Sequence, residues 1–302
     1  QTREAEIQLA LERVRAKSLA MHLTSELQDV VNVVAQQLHT MGMDINGGVF
    51  ITINDEVDKN LPLWASSGAA DYLQKAVVPF LNRPIFTHLR DAIKKRNNFF
   101  AEEYSKKEKD EMFHHLFRYV PWNSQPEERK KELLSRAGGL ARAAVISQHT
   151  SIAVTNHNGK KFSEEEKEIL KRFGSVFEQS YIRFLDLQKA EAQTREAEIQ
   201  LALERVRART MAMQKSDELP QAANLLFQQV QALGMPAWSA GYCTWENNKK
   251  AITLSMSSEG VLQPSLRMPL TEDPSLIHFL EAHERGETFF VEELGGEELK
   301  SH

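Results

Sequence analysis

Apolar residues keep a seven-residue rhythm at the start of the chain. Ile7, Leu11, Val14 and Met21 fall on one seam, with Ser18 as its polar gap. The rhythm returns at Ile199, Leu203, Val206 and Met213, with Thr210 in the gap. Its source is a verbatim repeat, QTREAEIQLALERVRA, at residues 1–16 and again at 193–208, 192 positions later. The repeat is rich in Glu and Arg and holds neither Gly nor Pro, which predicts an exposed helix rather than a core element. Two readings fit a seam sustained over about three heptads. One is a solvated single helix with a narrow apolar stripe. The other, favoured by the spacing, is a parallel dimeric coiled coil, with Lys189, Ala192 and Glu196 weakening the seam upstream. Residues 1–21 and 188–215 are therefore expected to be linker helices.

Beyond the first helix the pattern changes. Ser25 with Gln28 reads as a capping box, opening a helix to about Met41 that buries Val30, Val31, Val34 and Leu38 and stops at Gly42. Residues 47–53 and 61–66 alternate or run apolar between Gly and Asn/Asp signals, as antiparallel strands do. After Pro79 and Pro84, a helix is predicted over 85–95 and a short strand over 98–102. Residues 106–119 and 126–136 read as helices on either side of a turn at 121–125. Residues 141–148 and 151–155 form a predicted strand pair, Asn158-Gly159 a turn, and Ser163 with Glu166 the cap of a closing helix. Gly174 interrupts the pattern of that helix, but no Pro follows until Pro220. Continuous to about Lys215, it would span about 80 Å at 1.5 Å per residue. It would then become the second copy of the opening helix. These elements predict an α+β fold: one antiparallel sheet flanked by helices, with long helical linkers.

The similarity between the two halves continues past the repeat. Met41-Gly42-Met43 parallels Leu233-Gly234-Met235, and Ser66-Ser67 parallels Ser257-Ser258. Pro84, His88, Ala92, Phe99, Phe100, Glu102 and Glu103 match Pro274, His278, Ala282, Phe289, Phe290, Glu292 and Glu293. The expected organisation is thus a first domain over 22–187 and a diverged copy over 216–302. The copy reaches only the counterpart of about Phe113, so it is expected to lack its last strands and closing helix.

Composition narrows the function classes. Hydrophobic residues make up 41% and charged residues 26% of the 302 residues, as in ordinary globular proteins. A net charge of −5 and a pI near 6.1 leave no overall basic footprint for nucleic acid. No apolar run approaches the roughly 18–20 residues that cross a bilayer. The lone Cys243 excludes an internal disulfide and fits a reducing, cytoplasmic setting. The chain starts with Gln rather than Met, which reads as a fragment.

Few residues suggest chemistry. The string Gly295-Gly296-Glu297-Glu298-Leu299 resembles a diguanylate cyclase turn, but no cyclase-like hairpin surrounds it, and a polar loop is expected. His22 lies in a stretch faintly like a phospho-accepting motif, yet Gln214 replaces it in the second copy and no ATP-binding boxes follow. His114 and His115 are neighbours that do not face the same way on a helix, and no further metal ligands stand at suitable spacing. Cys243 takes the place of Ile51 and is expected to be a small buried hydrophobe. Phosphate loops and zinc spacings are absent.

The ending NGKKFSEEEKEILKRFGSVFEQSYIRF and the linker FLDLQKAEAQTREAEIQLALERVRART resemble the closing helix and inter-domain helices of tandem GAF-like domains in bacterial signalling proteins, often sensor histidine kinases. The resemblance covers nearly the whole chain and is most specific at the linker. It implies a cytoplasmic, non-catalytic sensory or regulatory homodimer whose helices relay a signal to an output domain in the same longer polypeptide. The alternative is a ligand-free dimerisation or protein-docking scaffold. Asn158, Phe162 and Glu166 match the cyclic-nucleotide motif of that family only loosely, so cyclic GMP is not expected. No cofactor, metal, nucleic acid or membrane is expected either. A small-molecule pocket in such a domain would lie between the sheet and the inserted helices. Trp64, His88, Phe100 and Trp122 are its candidate lining, with core packing as the competing role for each.

Overall fold

The computed structural model describes residues 2–66, 75–247 and 249–295. The chain divides into two compact units, Gln1–Ala190 and Glu191–His302.

In the first unit, α1 (Thr2–Leu19) and α2 (Leu27–Thr40) lead into strands β1 (Gly48–Ile53), β2 (Leu61–Ser66) and β3 (Lys75–Val78). Helix α3 (Pro84–Lys94), strand β4 (Phe99–Tyr104) and helices α4 (Lys106–Leu116) and α5 (Glu127–Ser135) follow. Strands β5 (Leu140–Ile146) and β6 (Thr150–Asn156) complete a six-stranded antiparallel sheet of order β3-β2-β1-β6-β5-β4, before α6 (Glu164–Met211) closes the unit. This is the expected α+β architecture, an antiparallel sheet flanked by helices. The central strand β6 is buried along its whole length, because helices cover both faces.

Alternation along the strands sorts side chains between those faces. Val49, Ile51, Trp64, Val145, Ile152 and Val154 face α1, α2 and the first part of α6, where Phe173, Phe177 and Tyr181 join them in one core. Phe50, Leu63, Leu140 and Ala153 face the other way, toward the inserted helices. Gly174 lets α6 approach the sheet: a Cβ there would lie 2.3 Å from Val145 Cγ1. The glycine is therefore a packing feature, not a break. The helix runs unbroken over 48 residues, about 72 Å at 1.5 Å per residue.

The opening helix is not the exposed spacer that its composition predicts. Ile7, Leu11, Val14 and Met21 are 0–6% exposed and belong to the core of their own unit. Ser18, the polar gap, is buried too, and its hydroxyl donates to the Val14 carbonyl at 2.8 Å. Arg3 donates to the Met41 carbonyl, Arg13 to Gln37, and Arg172 of α6 pairs with Glu4 through both terminal nitrogens. The expected Ser25–Gln28 box does not form: among the described residues no side chain caps the helix that starts at Leu27. Glu26 instead caps the short turn before it (Thr24–Glu26), accepting the His22 and Leu23 backbone N–H groups at 2.6 and 2.9 Å, while Gln28 donates to the Ala65 carbonyl.

The second unit contains the end of α6, then α7 (Leu219–Ala232), β7 (Ser239–Trp245), β8 (Ala251–Ser258), β9 (Val261–Leu262), β10 (Leu266–Pro269) and α8 (Pro274–Glu284). Its sheet has the order β10-β8-β7, with β9 paired to β8. The repeated helix makes the same bonds here as in the first unit. Arg195 donates to the Leu233 carbonyl, Arg205 to Gln229, and Thr210 to the Val206 carbonyl. Ile199, Val206 and Met213 are half-buried and Leu203 is 50% exposed. Cys243 is exposed instead of buried. Among the described residues β7 has a neighbour on one edge only, and no helix corresponding to the first part of α6 covers the face that Ile51 turns to the core in the first unit.

Candidate functional site

A cavity of 130 Å³ lies between the sheet and the helices inserted after β3. Strands β1, β2, β5 and β6 supply its floor through Phe50, Leu63, Leu140 and Ala153. Helices α3, α4 and α5 supply the roof through Phe86, Met112, Leu116 and Leu133. The roof is fixed from below by Lys109, fully buried on α4, whose ammonium donates to the Arg136 and Gly138 carbonyls at 2.8 and 2.5 Å. Burial pushes this amine below its ordinary pKa.

One end of the cavity is polar. Thr155 and Arg142 stand opposite each other in the β5–β6 register, and His157 follows two residues on, so alternation turns all three toward the cavity. Gly47 makes room for them: a Cβ there would meet Thr155 Oγ1 at 2.3 Å and His157 Nε2 at 2.8 Å. The His157 backbone N–H donates to Asn46 Oδ1 at 2.8 Å, and its ring meets Phe113 edge-on at a centroid distance of 5.2 Å. Arg142 donates through Nη1 to the Ile85 carbonyl at 2.8 Å, the only hydrogen bond of its side chain among the described residues. Gln125, in the turn after Trp122, completes the polar set.

Three of these polar atoms have no hydrogen-bond partner among the described residues: Thr155 Oγ1, His157 Nδ1 and Gln125 Oε1. Their residues are 3%, 7% and 8% exposed. A buried polar atom without a partner costs about 1–3 kcal/mol, and native proteins tolerate few of them. All three residues that carry them line one cavity. The electrostatics are equally one-sided. Burial pulls the His157 imidazole down to a pKa of about 3, helped by the positive charges of Arg136, Lys109, Arg129 and Arg142. The ring is therefore neutral near pH 7. Among the described residues no Asp or Glu lines the cavity; opposite Arg142 across the sheet stands Glu102, which accepts from the Tyr104 hydroxyl and pairs with His88.

Of the four lining residues expected from sequence, the structure brings only Trp122 to the cavity. Trp64 lies on the opposite face of the sheet, 2% exposed, with the Lys75 ammonium 4.8 Å from its ring centroid. Its neighbour Leu63 is the residue that faces the cavity. His88 is on the surface, its Nδ1 2.5 Å from Glu102 Oε2. Phe100 packs with Leu89, Ile93 and Ala144 in a separate cluster. Sequence reasoning missed Arg142, Thr155 and His157. Alternation along β6 would have aimed Thr155 at the inserted helices, but nothing local marks a histidine just past a strand end as a cavity residue.

The other candidate features lie apart from the cavity or outside the described residues. His114 is exposed, and His115 packs against Phe86 and Tyr119. No group of three or more metal-ligating side chains occurs among the described residues. Asn158 is exposed in a turn, Phe162 is in the core, and Glu166 caps α6 against Ser163; none of the three lines the cavity. Of the string 295–299 only Gly295 lies within the described residues, and Ser67 also lies outside them. No described helix is long and apolar enough to cross a membrane.

No family model matches the chain, and no curated protein matches it. Among solved structures the chain is similar to the crystal structure of the GAF domain from Acinetobacter phosphoenolpyruvate-protein phosphotransferase. The match has 13% sequence identity and a TM-score of 0.32, and covers 58% of this chain and 95% of that chain.

Proposed function

We propose that the first unit is a sensory or regulatory module that binds a small molecule in the cavity between its sheet and α3–α5. The observation that carries this reading is that three residues with buried polar atoms lacking a partner among the described residues line one largely apolar cavity. Ligand sites combine apolar walls with a few such groups, and a protein that gained only stability from this region would replace them with apolar side chains.

Relay to the rest of the protein runs through the sheet in this reading. Strand β6 carries Thr155 at the cavity and Thr150 at its other end, where Glu178 of α6 holds it. Occupancy of the cavity would favour one position of β6, and α6 would carry that preference onward as a population shift. The GAF-like resemblance of the linker supports an output domain elsewhere in a longer cytoplasmic polypeptide, of the histidine kinase type, and a dimer formed through the helices. The chain itself has no catalytic role in this reading; ATP hydrolysis by it would refute that part.

A thermal-shift screen of the chain against a metabolite library tests the proposal. A ligand that prefers the folded state raises the melting temperature, and Leu116→Trp, which fills the cavity, should abolish the rise. A second reading, a docking or dimerisation scaffold, is favoured by the apolar side chains that α6 exposes: Leu201, Leu203 and Met211 are 50–79% exposed. Disulfide crosslinking of a Leu203→Cys variant, in a background with Cys243→Ser, tests the dimer that both readings share, and the library screen separates them. Efficient crosslinking with no library hit would put the scaffold first.

A further inference from the structure

We infer that the ligand of this cavity is a compact organic monoanion: a carboxylate head on an apolar body the size of one ring or a short branched alkyl chain. The inference rests on the reading of the cavity as a small-molecule site and adds the class of ligand.

Size sets the first limit. A volume of 130 Å³ is close to the apolar cavity of about 150 Å³ that accommodates benzene. Nucleotides and tetrapyrroles exceed it several-fold, so the body is a single ring or its aliphatic equivalent. Apolar walls from Phe50, Leu63, Phe86, Met112, Leu116 and Trp122 suit such a body.

Charge and hydrogen-bonding capacity set the second. Arg142 and Arg129 line the cavity, Lys109 and Arg136 act on His157 with their positive charges, and among the described residues no carboxylate lines it. A cationic ligand would be repelled, while an anion gains from every one of these charges. Arg142 commits one terminal nitrogen to Ile85, and a guanidinium carries five N–H donors in a fork that matches a carboxylate. Thr155 Oγ1 can donate, and a neutral His157 presents one ring N–H. Thr155 Oγ1 and the second ring nitrogen of His157 can also accept, so the donor excess of the polar end comes from the Arg142 guanidinium. Gln125 does not discriminate, because its amide presents either oxygen or NH₂ when turned over.

Arg129 and Arg136 share Glu132 as a surface partner, at 2.6 and 2.9 Å. One acid between two guanidinium groups leaves a net positive charge on that wall. Glu102 sits opposite Arg142 across the sheet, and its Oε2 accepts from the Tyr104 hydroxyl and meets His88. Cations therefore outnumber acids around the polar end, which favours a singly charged head over a neutral one.

Calorimetric titration of the full chain at pH 7 with benzoate, cyclohexanecarboxylate and benzamide tests the inference. The expected result is saturable binding of at least one carboxylate, at least ten-fold tighter than the uncharged benzamide. Arg142→Gln should weaken carboxylate binding at least ten-fold; because Arg142 also holds Ile85, Thr155→Val provides a second variant that leaves the guanidinium in place and should weaken it several-fold. Benzamide binding as tightly as benzoate would overturn the anionic head and keep the small-molecule site. Library hits confined to neutral or cationic compounds would do the same. No binding by either carboxylate, with no library hit of any charge, would overturn both this inference and the sensory reading.

Discussion

Glu178 of α6 accepts two hydrogen bonds from Thr150, one from its backbone N–H at 3.0 Å and one from its hydroxyl at 2.6 Å. It also accepts the backbone N–H of His149 at 2.9 Å. One buried carboxylate thus ties the β5–β6 turn to the helix that leaves the unit. Glu178→Ala would leave these donors without their acceptor, and we expect a loss of about 3 kcal/mol. For a unit of this size that lowers the melting temperature by about 6–12 °C. A change of less than 2 °C would mean that the three bonds do not secure the turn.

Gly174→Ala sets two effects against each other. Alanine gains about 1 kcal/mol of helix propensity over glycine. Its Cβ would press into Val145, whose Cγ1 stands 2.3 Å from the position it would take, and overpacking a core costs about 1–3 kcal/mol. The clash should win, so the single variant melts lower than the parent. Val145→Ala introduced together with it should show a favourable coupling in a double-mutant cycle. A higher melting temperature for Gly174→Ala alone would contradict the close approach of α6 to the sheet.

The buried His157 makes stability depend on pH with a known sign. Its folded pKa, about 3, lies below the value of about 6.5 in an unfolded chain. Between these values the unfolded state binds the extra proton, so stability falls as pH falls. The slope approaches 1.4 kcal/mol per pH unit. Charges facing the ring from α4, α5 and β5 (Lys109, Arg129, Arg136 and Arg142) act in the same direction. Stability of the native protein relative to His157→Leu should therefore decline from pH 6 toward pH 4, as measured by urea unfolding. A flat difference over that range would mean that the imidazole titrates normally.

The second unit repeats the histidine–glutamate pair of the first. His278 Nδ1 lies 2.6 Å from Glu292 Oε1, as His88 does from Glu102. The hydrogen bond with Glu292 raises the His278 pKa and lowers that of Glu292. A raised histidine contributes below its unfolded value near 6.5 and loses that contribution as pH rises through the folded value. A depressed glutamate contributes above about 4.3 and loses it as pH falls. The pair is therefore strongest between about pH 4.5 and 6.5. Proton NMR titration should place His278 above the ordinary histidine value and return it there in Glu292→Gln. No movement on that substitution would show that the pair is not formed in solution.

Much of the secondary structure could be read from local pattern. Alternation and turn residues marked β1, β2, β5 and β6, and the Ser163–Glu166 cap marked the start of α6, because these signals depend on neighbours a few residues apart. Strand β3 received no such signal: four residues, Lys75–Val78, are too few to show a period. The Ser25–Gln28 box does not form because Gln28 donates instead to the Ala65 carbonyl, a partner 37 residues away that no local pattern shows.

By itself the sequence determined the repeat, most of the first unit's elements and the α+β class. The tertiary structure decided which way each apolar stripe faces and which side chains meet. The seam of α1 has the same periodicity whether it packs on a partner or on its own unit; α2 and α6 cover it here, and the Arg3 and Arg13 bonds reappear as those of Arg195 and Arg205. The pocket shows the same division. Trp64 and Leu63 are adjacent, yet the sheet sends one to the core and the other to the cavity. Arg142, Thr155, His157 and Gln125 come from three separate segments of the chain. A partnerless buried atom exists only once the surrounding chain has closed around it, so no local pattern announces it.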